Sequence, residues 1–192
     1  MSRFDDFTRS APKQSTEASK VLSQWLAGGP FERTEGPFKA YLHRPDIGNE
    51  FLDINRRLRE GAALPMRLRE LIILITSRIW RCEFEWFAHD ALALKNGLDD
   101  AVVAAMAEGA RPTFKREDES AVYDFCIELD ATKTVSDATF DRARAAIGDA
   151  GVLEVMTTFG LYVMIAMLIN TLRVPIPAGT TTRLGDVLRR KP

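Results

Sequence analysis

An all-α fold is predicted for this chain by three features of its sequence. Apolar residues recur at helical spacing along most of the 192 residues. No stretch alternates apolar and polar residues for long enough to indicate a strand. Glycine and proline stand where the periodic segments end, as they do at the ends of helices. With 46% apolar and 28% charged residues, the composition is that of a soluble, compact multi-helix domain.

The first half of the chain divides into helices at its glycine and proline residues. Pro65 stands where proline is favoured at a helix start, and the segment after it is so apolar that we expect it at the centre of the core. A short break is expected at Arg81-Cys82, and Asn96-Gly97 should end the helix that follows. The helices expected in this half cover about 15–27, 37–43, 45–61, 65–79 and 84–95.

The second half shows the same start and stop signals. Asp99 or Asp100 should cap one helix and Ser136 another. The four helices expected here cover about 100–109, 117–131, 136–147 and 150–171. These patterns predict a flexible N-terminal arm over 1–14, a single all-α domain over 15–173, and a Pro-rich segment with a basic C-terminal tail over 174–192.

The charge balance and the cysteine content argue against several classes of protein. Lys and Arg number 26 and Asp and Glu 27, so the chain lacks the basic excess of proteins that bind nucleic acids or membrane surfaces. Cys82 and Cys126 are too few for a disulfide framework and fit reduced thiols in the cytosol. The longest apolar run, 155–169, is shorter than the ~20 residues that span a bilayer. We expect a cytoplasmic protein with neither a nucleic-acid nor a membrane partner.

The most informative stretch of the sequence lies between residues 70 and 89. Cys82, Glu85 and His89 are spaced i, i+3 and i+7. At 100° per residue this spacing places a thiol, a carboxylate and an imidazole within about 60° on one helix face. Glu70 lies inside the preceding apolar helix and can meet that face if the two helices pack as a hairpin. A buried carboxylate needs a partner, and the nearest candidate is His89, so the group suits proton transfer.

Other interpretations of these residues stay open. Glu85 and His89 fit an ordinary surface pair at i,i+4 spacing, and Cys82 fits a small buried apolar residue. Glu70, Glu85 and His89 also offer two carboxylates and an imidazole to a metal ion, although the chain has only one other histidine, His43. Several arginines fit solvated helix faces, and any one of them suits an anionic substrate; these are Arg56, Arg57, Arg59, Arg67 and Arg69.

The residues of this stretch also carry a resemblance to a known family. The relevant sequence is Leu68-Arg69-Glu70-Leu71, then Cys82 twelve residues after Glu70, then Glu85-Trp86, His89 and Asn96-Gly97-Leu98. In this pattern the chain resembles the carboxymuconolactone decarboxylase family, which includes the alkyl hydroperoxidase D proteins. The resemblance is strongest over 64–108 and extends weakly to Gly160-Leu161-Tyr162. It implies an all-α fold with a central helical hairpin and assembly into trimers or hexamers.

The resemblance also implies roles for the four residues. In the peroxidase branch of the family, a glutamate, a Cys-x-x-Cys pair and a histidine form a redox centre with a proton relay. Glu70 and His89 match the relay, and Cys82 matches the first thiol. Glu85 stands where the second thiol would be, so the disulfide of that motif cannot form here. The pattern is closer to members without a dithiol, including those nearer the decarboxylases.

Three functions follow as hypotheses. The first is a cofactor-independent acid/base enzyme that acts on a small carboxylated lactone or related organic acid, with His89, Glu85, Glu70 and Cys82 as candidate catalytic residues. The second is a thiol peroxidase centred on Cys82. The third is a non-catalytic, oligomeric binding protein. The expected partners are a small carboxylate substrate and further copies of the chain, and neither a cofactor nor a metal is expected.

Overall fold

The structure confirms the predicted all-α fold. The computed structural model describes residues 2–12, 16–28 and 36–190, and this part of the chain contains no β-strand. The described elements are α1 (Arg3–Arg9), α2 (Glu17–Gly28), a 3₁₀ helix (Pro37–His43), α3 (Pro45–Arg57), α4 (Met66–Ile79), α5 (Glu83–Lys95), α6 (Asp100–Glu108), α7 (Glu117–Thr132), α8 (Asp137–Leu172) and α9 (Arg183–Arg190).

Helix α4 forms the centre of the core, as its apolar sequence predicts. It packs against α5, α6, α7 and α8. Eleven consecutive residues, from Arg67 to Ser77, are buried, and they include charged and hydroxyl side chains as well as apolar ones. A helix that is apolar nearly all round needs partners on every side, which explains why the other helices surround α4.

A tight reversal joins α4 to α5 and makes the predicted hairpin. Arg81 has a φ of +52°, in the left-handed region that ends the preceding helix. The N–H of Cys82 donates to the carbonyl of Ser77 at 2.8 Å, and α5 begins at the next residue. The hairpin places the early turns of α4 beside the middle of α5.

Helix α8 contains the predicted break between two helical segments. Gly148 has φ +71° and ψ 173°, which is not helical, so the axis changes direction between the segments predicted at 136–147 and 150–171. The Ser136 side chain caps the first segment by accepting from the N–H of Thr139. By length and composition alone, α8 could cross a membrane. Half of its most apolar window is nevertheless buried inside the protein, as in a core helix.

Both ends of the chain are more ordered than the sequence analysis predicts. Residues 3–9 of the expected flexible arm form α1, in which the buried ring of Phe4 anchors the helix to the core; residues 1, 13 and 14 lie outside the described part. The expected basic tail contains α9, whose Leu184 and Val187 are buried. Its Arg183 and Arg190 pair with carboxylates of α6. Short helices with few apolar residues give a weak periodic signal, and tertiary contacts decide their structure.

A buried ion-pair cluster links α4 to α7. Arg67, which the sequence analysis assigns to a solvated face, is only 8% exposed. It donates to Asp118 at 2.7 Å and to Glu119 at 2.5 Å, and Glu119 is itself buried. Removing one partner of a buried pair leaves an uncompensated charge, which is costly.

We expect Arg67→Met to lower the free energy of unfolding by about 3 kcal/mol, because both carboxylates of α7 lose their cation. Arg56→Met is the matched control, since Arg56 also pairs with two carboxylates, Asp53 and Glu60, but in solvent. Exposed ion pairs contribute little to stability, so the free energy of unfolding of the control should be close to that of the wild type. Urea unfolding of the three proteins makes the comparison, and equal losses in both variants would contradict it.

Candidate active site

Glu70 and His89 meet in the interior, between α4 and α5. Glu70 is 0% exposed and His89 4%, and Glu70 Oε2 lies 2.7 Å from His89 Nδ1. The hairpin makes this contact possible between residues that are 19 positions apart. Because Nδ1 is engaged by Glu70, Nε2 is the ring nitrogen of His89 that is left for another partner. The predicted contact between the two side chains is confirmed.

Glu85 is a buried acid beside this pair. It is only 2% exposed, and Ser77 donates a hydrogen bond to its Oε2 at 3.3 Å. Burial raises the pKa of the Glu85 carboxyl well above its ordinary value, and the hydrogen bond from Ser77 opposes this shift only in part. Glu85 is therefore held as a neutral acid. The alternative of a surface Glu85–His89 pair is wrong, because both side chains are buried.

Neither cysteine has the surroundings of a reactive thiol. Cys82 and Cys126 are free and buried, and they lie in different apolar clusters of the core. Burial raises the pKa of both thiols, and the neighbouring Glu85 raises that of Cys82 further. A thiol needs to be accessible and readily ionised to act as a nucleophile. Cys82 instead stands at the start of α5, where its backbone shapes the hairpin.

Tyr162, on α8, adds an aromatic hydroxyl to the site. Its ring meets that of His89 edge to face, with 5.4 Å between centroids. Burial raises the pKa of the Tyr162 hydroxyl, and the guanidinium groups of Arg59 and Arg69 oppose this shift. Arg59 Nη2 lies 3.4 Å from the Tyr162 oxygen. At neutral pH the hydroxyl therefore keeps its proton and remains a hydrogen-bond donor.

Arg69 compensates the charge of Glu70 from within the core. It is 3% exposed, not solvated as the sequence analysis expects, and it donates to the carbonyl of Leu58 at 2.7 Å. Its Nη2 lies 4.0 Å from Glu70 Oε1. Within the described residues, Glu70 Oε1 and Arg69 Nη2 have no hydrogen-bond partner. This long ion pair keeps a cation beside the carboxylate and leaves one oxygen of Glu70 without a competing donor.

A pocket lies over this group of side chains. It encloses about 310 Å³ between the side chains, with free space for little more than a water molecule. Its polar lining consists of Glu85, His89 and Tyr162. Its remaining lining is apolar and consists of Pro37, Phe38, Phe84, Ala88, Ile165 and Ile169. None of the described lining residues is an arginine, so an arginine clamp inside the pocket is not observed.

The structure thus brings three of the four predicted residues together. Glu85 and His89 line the pocket, Glu70 stands behind His89, and Cys82 lies apart from the lining. Sequence reasoning did not place Tyr162 here, since it follows Glu70 by more than 90 residues and its weak family likeness was the only signal. Among the described residues, no group of three His, Cys, Asp or Glu side chains is arranged to hold a metal ion.

The pH dependence of stability should reveal the neutral Glu85. In the unfolded chain this carboxyl ionises above about pH 4.5, whereas in the folded protein it stays protonated to higher pH. Unfolding then releases a proton, so wild-type stability falls as pH rises, by up to about 1.4 kcal/mol per pH unit. In Glu85→Gln this contribution is absent. We expect the free energy of unfolding of the variant, measured in urea, to rise relative to that of the wild type as the pH increases from 5 to 8.

Glu50→Gln is the control for this experiment, because Glu50 is exposed. Its stability difference from the wild type should not change over the same pH range. A stability difference between Glu85→Gln and the wild type that is constant with pH, or in which the wild type gains on the variant as pH rises, would show that Glu85 is ionised in the folded protein.

The burial of both cysteines predicts their reactivity. We expect neither thiol to react with a disulfide reagent in the folded protein, and two thiols to react in denaturant. The measurement is a count of released chromophore per chain. Rapid modification of Cys82 in the native protein, located by mass spectrometry, would contradict the buried, protonated state.

The comparisons with known proteins agree with the fold. Residues 45–123 match the carboxymuconolactone decarboxylase family model, a segment that includes Glu70, Cys82, Glu85 and His89. No curated protein matches the chain.

Two solved structures share the fold. One, described as an alkylhydroperoxidase AhpD core and an uncharacterized peroxidase-related protein from Ralstonia eutropha JMP134, is 17% identical, with a TM-score of 0.68 over 89% of each chain. The other, an uncharacterized peroxidase-related protein from Silicibacter sp. TM1040, is 18% identical, with a TM-score of 0.66 over 88% of each chain. Over residues 45–123 the chain therefore resembles the carboxymuconolactone decarboxylase family, and the two solved structures show that it shares the fold of these peroxidase-related proteins.

Proposed function

We propose that this protein is a cofactor-independent acid/base enzyme that acts on a small carboxylated lactone or a related organic acid, as the decarboxylase branch of its family does. The observation that carries the proposal is the buried hydrogen bond between Glu70 and His89 at the wall of a small, partly open and mainly apolar pocket. A positioned imidazole in such a site transfers protons without help from bulk water.

His89 is the proton shuttle in this proposal. Its Nδ1 is bound to Glu70, and its Nε2 has no hydrogen-bond partner among the described residues. Glu70 orients the ring and stabilises the imidazolium that forms when Nε2 takes a proton. Arg69 keeps a positive charge beside Glu70 when His89 has passed its proton to the substrate. Glu70 is a positioning residue, since it does not line the pocket.

Glu85 and Tyr162 are the other proton-holding groups that face the pocket. Both keep their protons at neutral pH because burial disfavours their anions. A carboxylic acid that holds its proton beside an imidazole gives the site both an acid and a proton acceptor, which acid/base catalysis requires. The Tyr162 hydroxyl lies 3.4 Å from Arg59 Nη2, and we expect it to donate a hydrogen bond to a lactone or carboxylate oxygen of a bound substrate.

A decarboxylation uses these groups in a defined order. The bond between the substrate carbon and its carboxylate breaks, carbon dioxide leaves, and the electron pair stays on the carbon and its conjugated system. A proton must then be delivered to that carbon; the Glu85 carboxyl supplies it, directly or through His89, and is protonated again from solvent when the product leaves. The apolar walls formed by Phe38, Phe84 and Ile165 exclude water, which would otherwise solvate the leaving carboxylate.

The same geometry disfavours a dithiol peroxidase centred on Cys82. Its thiol is buried and protonated, the position three residues later is Glu85, and Cys126 lies in another part of the core. The likeness to peroxidase-related proteins concerns the fold. Of the two chemistries of the family, proton transfer is the one for which the buried groups are arranged.

We also propose that the protein works in the cytoplasm as a homo-oligomer, a trimer or hexamer as the family resemblance implies. Support comes from a stripe of exposed apolar residues on α8. At 100° per residue they fall within about 80° of one another, which is one face of the helix. The stripe consists of Leu153, Met156, Met164 and Met167.

The test compares turnover of carboxymuconolactone by the wild type and by His89→Ala, followed by loss of the lactone chromophore and by release of carbon dioxide. A positioned acid/base contributes about 10²–10⁴ in rate, so we expect a loss of that size. His43→Ala is the matched control and should retain activity, because His43 bonds to the carbonyl of Phe7 away from the pocket.

Three outcomes would overturn parts of this proposal. A loss below tenfold in folded His89→Ala would remove His89 as the shuttle. No turnover by the wild type would remove the named lactone as substrate. Peroxide consumption with a thiol donor that disappears in Cys82→Ser would establish the redox function instead.

A further inference from the structure

A second pocket lies at the other end of α4, and nothing in the proposed mechanism uses it. It opens to solvent between α4, α6 and α7, and its free volume of about 270 Å³ is close to the lower end of the range of small-molecule sites. Its apolar wall is formed by Ile75 and Ile79 of α4, Met106 of α6 and Ile127 of α7. It shares no lining residue with the pocket at His89.

Arg78 is the first of two cations in this pocket. Its Nε is buried, and no described residue provides it with a hydrogen-bond acceptor or an ion-pair partner. The guanidinium lies directly against Gly109, where a Cβ would come within 2.5 Å of Nη2. A glycine with φ +76° at the end of α6 thus makes room for Arg78 to reach the pocket.

Arg81 is the second cation. It follows α4 immediately, is exposed, and lines the same pocket. No described carboxylate pairs with it, whereas most other arginines of the described chain have an acidic partner. Two guanidinium groups without counter-ions on one wall of a pocket create a site of positive potential.

Tyr123, from α7, completes the polar side of the pocket. Its hydroxyl is half-buried, and burial raises its pKa, so it remains a hydrogen-bond donor. The adjacent carboxylate of Asp124 is already engaged by Arg111 at 2.8 Å and by Arg142 at 2.7 Å. It therefore does not neutralise the two arginines of the pocket.

A purely structural role for Arg78 explains its position but not the pocket in front of it. A cation in the last turn of a helix interacts favourably with the helix dipole. That interaction requires neither a concave apolar surface nor a buried Nε without an acceptor, and an unsatisfied buried donor is costly. A bound anion would supply the missing acceptor.

We propose that this pocket binds a small organic anion, a carboxylate with an apolar body. Its oxygens accept hydrogen bonds from Arg78 and Arg81, and its body lies against Ile75, Met106 and Ile127. Guanidinium groups bind carboxylates well because they offer parallel N–H donors. Arg78 follows Glu70 by eight residues, about 12 Å along the axis of α4, so the site is separate from the proposed catalytic pocket.

The test is calorimetric titration of the intact protein with benzoate at low salt, with benzamide and inorganic phosphate as comparison ligands. Benzoate should bind more tightly than benzamide, which lacks the charge, and than phosphate, which lacks the apolar body. Arg78→Met and Arg81→Gln should each weaken benzoate binding at least tenfold, since each removes a charged donor. Melting temperatures confirm that the variants are folded.

Arg173→Gln is the matched control for Arg81→Gln. Arg173 is also exposed, follows a helix directly and has a positive φ, of 56°, but does not line the pocket. It should bind benzoate like the wild type, and so should His89→Ala. Binding that is lost in His89→Ala and kept in Arg78→Met would place the ligand in the other pocket and overturn the proposal. Equal affinity for benzamide, or no heat from wild type at millimolar benzoate, would also overturn it.

Discussion

The hydrogen bond between Glu70 and His89 is the constraint on which the rest of the site depends. A carboxylate that is 0% exposed within an apolar helix requires a partner, and the partner has to come from another element. The left-handed Arg81 turns the chain back so that α5 provides that partner at 2.7 Å. Arg69 adds a cation from the same helix as Glu70. The buried polar group therefore depends on the hairpin, because only the hairpin brings His89 to Glu70.

The same apolar surroundings decide which chemistry the buried groups can perform. Low polarity disfavours every anion, so Glu85 and Tyr162 hold their protons and Cys82 holds its own. For an acid/base mechanism this is useful, because neutral acids stand ready beside an imidazole. For a thiol mechanism it is prohibitive, because the thiolate is the reactive species. The presence of Glu85 in place of a second thiol and the burial of Cys82 both favour acid/base chemistry over thiol chemistry.

Local signals in the sequence predicted most of the fold, and long-range contacts account for what they missed. Pro65, Ser136 and the break near Gly148 act within a few residues, so the helix boundaries around them could be predicted. The burial of Arg67 and Arg69 could not, because it depends on acceptors provided by α7 and by Leu58. Helices α1 and α9 have only seven and eight residues, so whether they form depends on the packing of Phe4, Leu184 and Val187 against the core.

The candidate site also combines residues that a local motif predicts with residues that only long-range contacts bring in. Glu70, Glu85 and His89 lie on one rigid hairpin, so a short motif was sufficient to predict that they meet. Phe84 and Ala88 of the hairpin supply part of the apolar pocket lining, and the rest comes from the 3₁₀ helix and from α8, including Phe38 and Tyr162. Substitutions in those two elements alter the shape of the pocket while leaving the proton-transfer group intact. Under the proposed function, such substitutions change which substrate fits and keep the Glu70–His89 pair, which allows one hairpin to serve different substrates within one fold.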